Sequence, residues 1–314
     1  SSDVCSSDLS RIASCSIGAA SVAQVLPAMQ QPVAVRGMAT LKETKNRLKS
    51  TQSIQKITAS MKMVAAAKLR QAQKSLEAGY AYETASANPV KSFDVEDWKP
   101  KNRLIIAVTS DRGLCGAANT YVNKSVNKLL AEDASNDVKS SLFVIGEKGK
   151  ALVARNHPHL LTYAVDGVQK GGLNYSAAAH IASLAISTGS YDAITLVHNH
   201  FVSMIAYETT TKVLPSQNAL EASQEKDAAY EIETVDEGLE CYQEMRLADG
   251  LYSALCDSAT AEQSSRMTSM ENATKNAGEM ISALQIKYNR TRQAVITTEL
   301  IEIISGAASL DKAK

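Results

Sequence analysis

Two segments of the chain carry apolar residues at helical spacing, and neither contains a proline. In the first, Ile54, Ile57, Met61, Ala65, Leu69, Ala72 and Leu76 follow one another in steps of three or four, which places them on one helix face. Lysine, arginine and glutamine fill the opposite face, and no proline interrupts from Leu41 until Pro89. The pattern predicts a helix of about fifty residues, roughly 70 Å long. Propensity alone does not hold a helix of that length, so its apolar face needs a partner. The second segment opens at Asp236, a candidate N-cap, and continues to the end without a proline. Met270, Ala277, Ile281, Leu284, Tyr288 and Val295 recur there at spacings of three, four and seven, as in a coiled-coil seam. Ala273 and Ala277 are small enough to let two backbones approach closely.

Between these segments the period changes. Leu104 to Val108, Leu142 to Ile145 and Ala193 to Val197 are continuous apolar runs of strand length, and helical stretches surround Ala117 to Leu130, Lys148 to Arg155 and Ser176 to Ile186. Buried strands alternating with helices predict a small α/β layer with mainly parallel strands. Phe201 to Val213, with its β-branched residues and Tyr207, predicts a further strand that leaves the core. The expected fold is α/β: a long antiparallel coiled coil of N- and C-terminal helices with an inserted Rossmann-like α/β domain. Residues 39–90 form the first helix, 100–235 the inserted domain and 236–310 the second helix.

The first forty residues differ in kind. Residues 1–9 repeat Ser-Ser-Asp and match nothing that follows, as expected of a translated sequencing adaptor. Residues 10–38 hold Arg11 and Arg36, many serines and alanines and no acid, which is the composition of a mitochondrial transit peptide.

Composition narrows the function. Lysine plus arginine equals aspartate plus glutamate at 33 each, so overall charge points to neither nucleic acid nor membrane. The charge is nevertheless unevenly placed, since Leu41 to Glu77 is strongly basic and Glu221 to Glu244 strongly acidic. Cys5, Cys15, Cys115, Cys241 and Cys256 form no CxxC pair and no metal-ligand spacing, and a reducing compartment is the simpler expectation. No run of about 18 apolar residues is present to span a bilayer.

Candidate chemistry is sparse. Ser110-Asp111-Arg112-Gly113-Leu114-Cys115-Gly116 follows a strand and precedes a helix, where a phosphate loop would sit. It lacks the GxxxxGK[ST] spacing and is expected to make a tight turn, with Cys115 as a small core residue. His198 and His200 share one strand face, but no carboxylate or cysteine lies near them in sequence, so they are expected to be structural. No Ser/His/Asp arrangement, metal site or cofactor is expected. The basic helix from Lys42 to Lys74 raises a nucleic-acid-binding coiled coil as an alternative, although no aromatic residue precedes Tyr80 to stack on bases.

Three blocks resemble the F-type ATP synthase gamma family. They are Ile57 to Lys68 (ITASMKMVAAAK), Ser110 to Gly116 (SDRGLCG), and a C-terminal block comprising Arg266 to Thr274 (RMTSMENAT) and Asn289 to Ala308 (NRTRQAVITTELIEIISGAA). Ala59 departs from the lysine that many relatives carry. The resemblance implies a non-catalytic central rotor of the mitochondrial complex, peripheral on the matrix side of the inner membrane. Its implied partners are the alpha and beta subunits, the delta/epsilon-type stalk subunits and the membrane c-ring, with no nucleic acid. It further implies rotor–stator contacts at Met61, Lys62, Lys68, Arg266, Arg290, Arg292, Gln293, Thr297 and Glu299. Ile301, Ile303, Ile304 and Leu310 would form a tip turning in an apolar sleeve. Plastid relatives insert a dithiol loop after the strand ending near Leu214. Pro215 to Tyr230 contains no cysteine, so redox gating of that kind is not expected.

Overall fold

The computed structural model describes residues 41–87, 100–170, 172–215 and 236–311. The expectations for residues 1–9 and 10–38, and most of Pro215 to Tyr230, lie outside the described residues. Two helices dominate: α1, Leu41–Ala87, and a C-terminal helix of 76 residues, Asp236–Asp311, which is the fifth in chain order and is called α5. At 1.5 Å per residue they measure about 70 and 114 Å.

The two helices run antiparallel. The Tyr242 hydroxyl donates to the Ser86 carbonyl at 2.7 Å, the Thr274 hydroxyl to Thr58 at 2.8 Å, and Lys62 pairs with Glu271 at 2.9 Å. Partners thus move backward along α5 as they move forward along α1.

The α1 seam differs from the sequence expectation. Thr44, Thr51, Thr58, Ala65, Gly79 and Ser86 are buried, each seven or fourteen residues from the next, and Leu69 and Leu76 fill alternate layers. Ile54 and Ile57, expected on the seam, are 53% and 58% exposed. Small residues win these layers because they let the helix axes come close. A Cβ added to Gly79 would stand 3.5 Å from the Ser253 Cα. On α5, Met270, Ala277 and Ile281 are buried as expected, whereas Val295 is exposed. The reason is that α1 begins at Leu41, which leaves the last part of α5 without this partner.

The strands are β1, Asn102–Val108; β2, Lys139–Ile145; β3, Leu161–Val165; β4, Ala193–Phe201; and β5, Tyr207–Pro215. They form one sheet in the order β3-β2-β1-β4-β5, with β5 antiparallel to β4 and all other pairs parallel. The Phe201 to Val213 segment therefore stays in the sheet: it completes β4 and then folds back as an edge strand. Side chains alternate between two cores. On one face, Ile105, Ala107, Leu142, Val144 and Val197 pack on Val122, Val126 and Leu130 of α2 (Ala118–Ser135) and Val153 of α3 (Glu147–Asn156). On the other, Leu104, Ile106, Phe143 and Leu196 pack on Ala178, Ile181 and Ala185 of α4 (Tyr175–Ser187) and on Leu247, Leu251 and Leu255 of α5. Because both faces are covered, the central strands read as unbroken apolar runs. The helix α5 thus belongs to two bodies at once, first as a layer of the α/β lobe and then as half of the coiled coil.

Candidate functional site: the shaft, its lobe and the groove between them

The Ser110 to Gly116 turn leaves β1 where the sheet order reverses, the place at which open α/β sheets hold ligands. Here the chain fills that place itself. Asp111 accepts main-chain N–H groups from the start of α3, Glu147 at 3.3 Å, and from the loop after β3, Gly167 at 3.1 Å. Ser110 N–H donates to the Asn119 amide oxygen at 3.1 Å, and Asn119 donates back to the Ser110 hydroxyl at 2.8 Å. A carboxylate therefore already occupies donors that a phosphate would need, and its charge repels one.

The same turn docks on α5. The Ser265 hydroxyl donates to the Cys115 carbonyl at 2.5 Å, and the Arg266 guanidinium reaches the Gly113 carbonyl at 3.4 Å. Gly116 has φ of +60° and lies so close to the helix that an added Cβ would meet the Ser269 hydroxyl at 2.9 Å. Only glycine fits both demands. Gly113 has no such need, whereas Leu114 takes the left-handed conformation at φ of +65°. Cys115 is buried and receives a hydrogen bond from Asn119 at 3.4 Å, in keeping with a core residue.

Apart from Lys62, the rotor–stator candidates fall into two places. Met61, Lys68 and Arg266, with Asp111, Arg112 and Gly113 of the turn, line one groove of about 820 Å³ between α1 and the lobe, with Ile57, Val64 and Leu114 supplying apolar wall. Lys56, Arg112 and Lys170 add positive charge to it. Lys62 points away to its ion pair with Glu271. Arg266 is only 8% exposed; its guanidinium is held by Glu262 at 2.5 Å and Gln263 at 3.0 Å. Burial pushes the Glu262 carboxyl above its ordinary range, Arg266 opposes this by charge and hydrogen bond, and Asp111 adds repulsion.

The second place is the end of α5. Arg290, Arg292, Gln293, Thr297 and Glu299 are all exposed there, roughly 40 Å from Arg266 along the helix. The Thr297 hydroxyl is turned back onto the Gln293 carbonyl at 2.9 Å. Ile301, Ile303 and Ile304 are exposed too, Ile303 to 72%. The side chain of Leu310 lies outside the described residues. Sequence spacing brings neither place to the other, and the fold keeps them apart.

One cluster escaped the sequence. His198 and His200 do meet a carboxylate, Asp257 of α5, which is 2% exposed. Tyr80 of α1 joins them. Among the described residues, no group of three or more histidines, cysteines or carboxylates is arranged to hold a metal, and no helix is long and apolar enough to cross a membrane.

A two-helix coiled coil sharing one helix with an α/β lobe, a charged groove where they join and an exposed apolar helix end define the class: a coiled-coil protein with an inserted α/β domain. Known proteins say which. A family model described as ATP synthase matches residues 40–310. The mitochondrial ATP synthase subunit gamma of Drosophila melanogaster is 43% identical over 88% of this chain and 92% of its own length. The rat mitochondrial F(1) complex subunit gamma is 41% identical over 87% of this chain and its full length. In the central stalk and c-ring structure of the Tetrahymena thermophila mitochondrial ATP synthase, one chain superposes with a TM-score of 0.57 at 30% identity. It covers 69% of this chain and 99% of its own. A rotor chain of the Euglena gracilis enzyme shares the fold with a TM-score of 0.69 at 18% identity, covering 82% of this chain and 99% of its own. The chain belongs to the gamma-subunit family of ATP synthases. Nothing among these relatives supports the nucleic-acid-binding alternative.

Proposed function

We propose that this chain is the central rotor shaft of a mitochondrial ATP synthase, carrying rotation from a membrane c-ring to catalytic beta subunits and having no catalytic centre of its own. The carrying observation is α5: one unbroken 76-residue helix that starts as a layer of the lobe, becomes half of the coiled coil and extends beyond the start of α1. Such a rod transmits torque without a hinge. To drive its neighbours it must touch them unequally as it turns, because only differential contact biases a conformational equilibrium.

Two surfaces support that role. The groove holding Met61, Lys68, Arg112 and Arg266 offers apolar wall with a mixed rim, in which Lys56, Lys68, Arg112 and Lys170 outnumber Asp111 and Glu147, to acidic loops of the beta subunits. Further along, Arg290, Arg292, Gln293, Thr297 and Glu299 present exposed hydrogen-bonding groups as the catch for a beta-subunit loop. Beyond them Ile301, Ile303 and Ile304, with Leu310, form a tip for an apolar sleeve of alpha and beta subunits. The lobe end of the shaft faces the c-ring and a delta/epsilon-type subunit, on the matrix side of the inner membrane. The mitochondrial relatives support the organelle, as does the acid-free composition of residues 10–38, read as a transit peptide behind an adaptor-derived stretch at 1–9.

Replacing Arg292 and Gln293 together by alanine tests the catch. Both are exposed on a helix, so the subunit should fold and assemble, while ATP synthesis in the reconstituted complex falls about tenfold or more, the scale of losing charge-assisted hydrogen bonds. Full synthesis by the double variant would remove these residues from the catch. Failure of the native chain to co-purify with alpha and beta subunits would remove the rotor reading itself.

A further inference from the structure

Asp257 stands on α5 where the helix passes from the lobe into the shaft, and its carboxylate gathers contacts from both bodies. One oxygen accepts the Phe201 main-chain N–H at the end of β4, at 2.7 Å. The other lies 2.6 Å from His200 Nδ1 and 3.6 Å from His198 Nε2, both on β4. It also accepts the Tyr80 hydroxyl of α1 at 3.1 Å, and that hydroxyl stands 3.0 Å from His200 Nδ1. On β5 the Thr210 hydroxyl completes the surroundings at 3.4 Å from His198 Nε2. A single buried carboxylate thus joins α5, α1 and the sheet. Burial alone would push this carboxyl up. The close approach of His198, the hydrogen bonds from Phe201 N–H and His200, and the attraction of His200 outweigh it and hold Asp257 below the ordinary range as an anion.

Other contacts between the lobe and the two helices are both apolar and polar. Leu196, Leu251, Ala254 and Leu255 meet in the apolar core and Gly79 packs on Ser253 and Cys256, while Lys212 of β5 pairs with Glu83 of α1 and the Ser264 hydroxyl donates to the Met204 carbonyl at 2.6 Å, each joining only two elements where Asp257 joins three. Apolar contact is non-directional, and a smooth wall of small side chains offers little resistance to sliding or rotation. Hydrogen bonds to a buried charge are directional and are lost on a shift of one residue, so buried polar groups of this kind fix register.

We propose that Asp257 is a positioning residue for rotary coupling, keying the α/β lobe to the two-helix shaft in one register so that both turn as a single body. The proposal rests on the rotor reading, since only a part under torque needs such a key.

The test uses the assembled ATP synthase carrying this chain in sealed vesicles, with ATP hydrolysis and ATP-driven proton pumping measured on the same preparation. Loss of the charged contacts should raise the slipped population roughly tenfold. For Asp257→Leu the expected result is hydrolysis close to wild type, with protons pumped per ATP lowered in step with that roughly tenfold larger slipped fraction. Asp257→Glu, which keeps the charge, should recover most of the ratio. Tyr80→Phe removes one donor with little change of volume; it gives an intermediate ratio and serves should Asp257→Leu fail to assemble. An unchanged pumping ratio in Asp257→Leu, or in Tyr80→Phe if only that variant assembles, overturns the proposal. So does a parallel fall of both activities in proportion to the assembled complex, which is what mere loss of stability produces. Failure of the rotor reading is distinct, because the unmodified chain would then neither co-purify with alpha and beta subunits nor couple at all.

Discussion

Arg266 and Glu262 are both nearly excluded from solvent and lie one helical turn apart on α5, at the wall of the groove. A buried ion pair contributes little net stability, but removing one partner strands the other charge. Arg266→Ala should therefore lower the unfolding free energy of the isolated chain by about 3–5 kcal/mol. Adding Glu262→Gln should return much of that loss, because the abandoned carboxylate is gone. Denaturant unfolding of the two single variants and the double variant gives the coupling; strict additivity would show that the pair does not act as a unit. Asp257 yields a pH dependence. Its carboxyl is held below the ordinary value of 3.8, so its stabilising share is present in full above that value and is lost as the pH falls through the lower folded value. The stability difference between wild type and Asp257→Asn should be widest near neutrality and close as the pH is taken below about 4. A difference that stayed constant into acid would mean the carboxyl titrates alike in the folded and unfolded chain. The Arg266–Glu262 spacing is local and legible, but the Asp257 cluster could not be read from sequence. Asp257 lies 57 residues from His200 and 177 from Tyr80, and no local spacing records such a meeting.

At the scale of elements, the two long helices, the three central strands and the helices between them were legible. Burial on both sheet faces makes unbroken apolar runs, and proline-free periodicity marks the rods. The edges were harder. Leu161–Val165 went unread as a strand because it borders the sheet and stays half-exposed, with a pattern that is short and mixed. The β5 strand was seen but misplaced, because a half-polar edge strand carries no signal of which neighbour it joins. The α1 seam misled for a different reason: hydrophobic periodicity looks for large apolar side chains, and here threonine, alanine, glycine and serine line the contact. That distinction is measurable. Ala65→Leu, at a position 1% exposed, should overpack the seam and cost about 1–3 kcal/mol in thermal or denaturant unfolding. Ile57→Gln, in the exposed stripe, should change stability by less than about 0.5 kcal/mol. The reverse ranking would restore the large apolar stripe as the contact face.

For the whole molecule, the candidate sites divided cleanly. The groove residues came together although they are drawn from α1, the turn after β1 and the middle of α5, whereas the residues proposed as catch and tip, Arg290 to Ile304, remained a separate surface at the end of one helix. Their placement on helices was legible because each helix is long and uninterrupted. The groove was not, since it depends on how the lobe leans on the shaft, and that is set by Gly116, Ser265 and Arg266 in three-dimensional contact.

The double membership of α5 also governs how the chain can be made. The sheet, α2 and α4 are complete by Pro215, yet one of the two apolar cores stays open until Leu247, Leu251 and Leu255 arrive from a helix encoded near the end. Pairings so distant in sequence carry a large loop-closure cost and form late. A nascent chain stalled before residue 247 therefore exposes one greasy face of its sheet, and a ribosome or translocation channel releasing such a fragment releases a sticky half-product. The second core of the lobe closes only with the last quarter of the polypeptide.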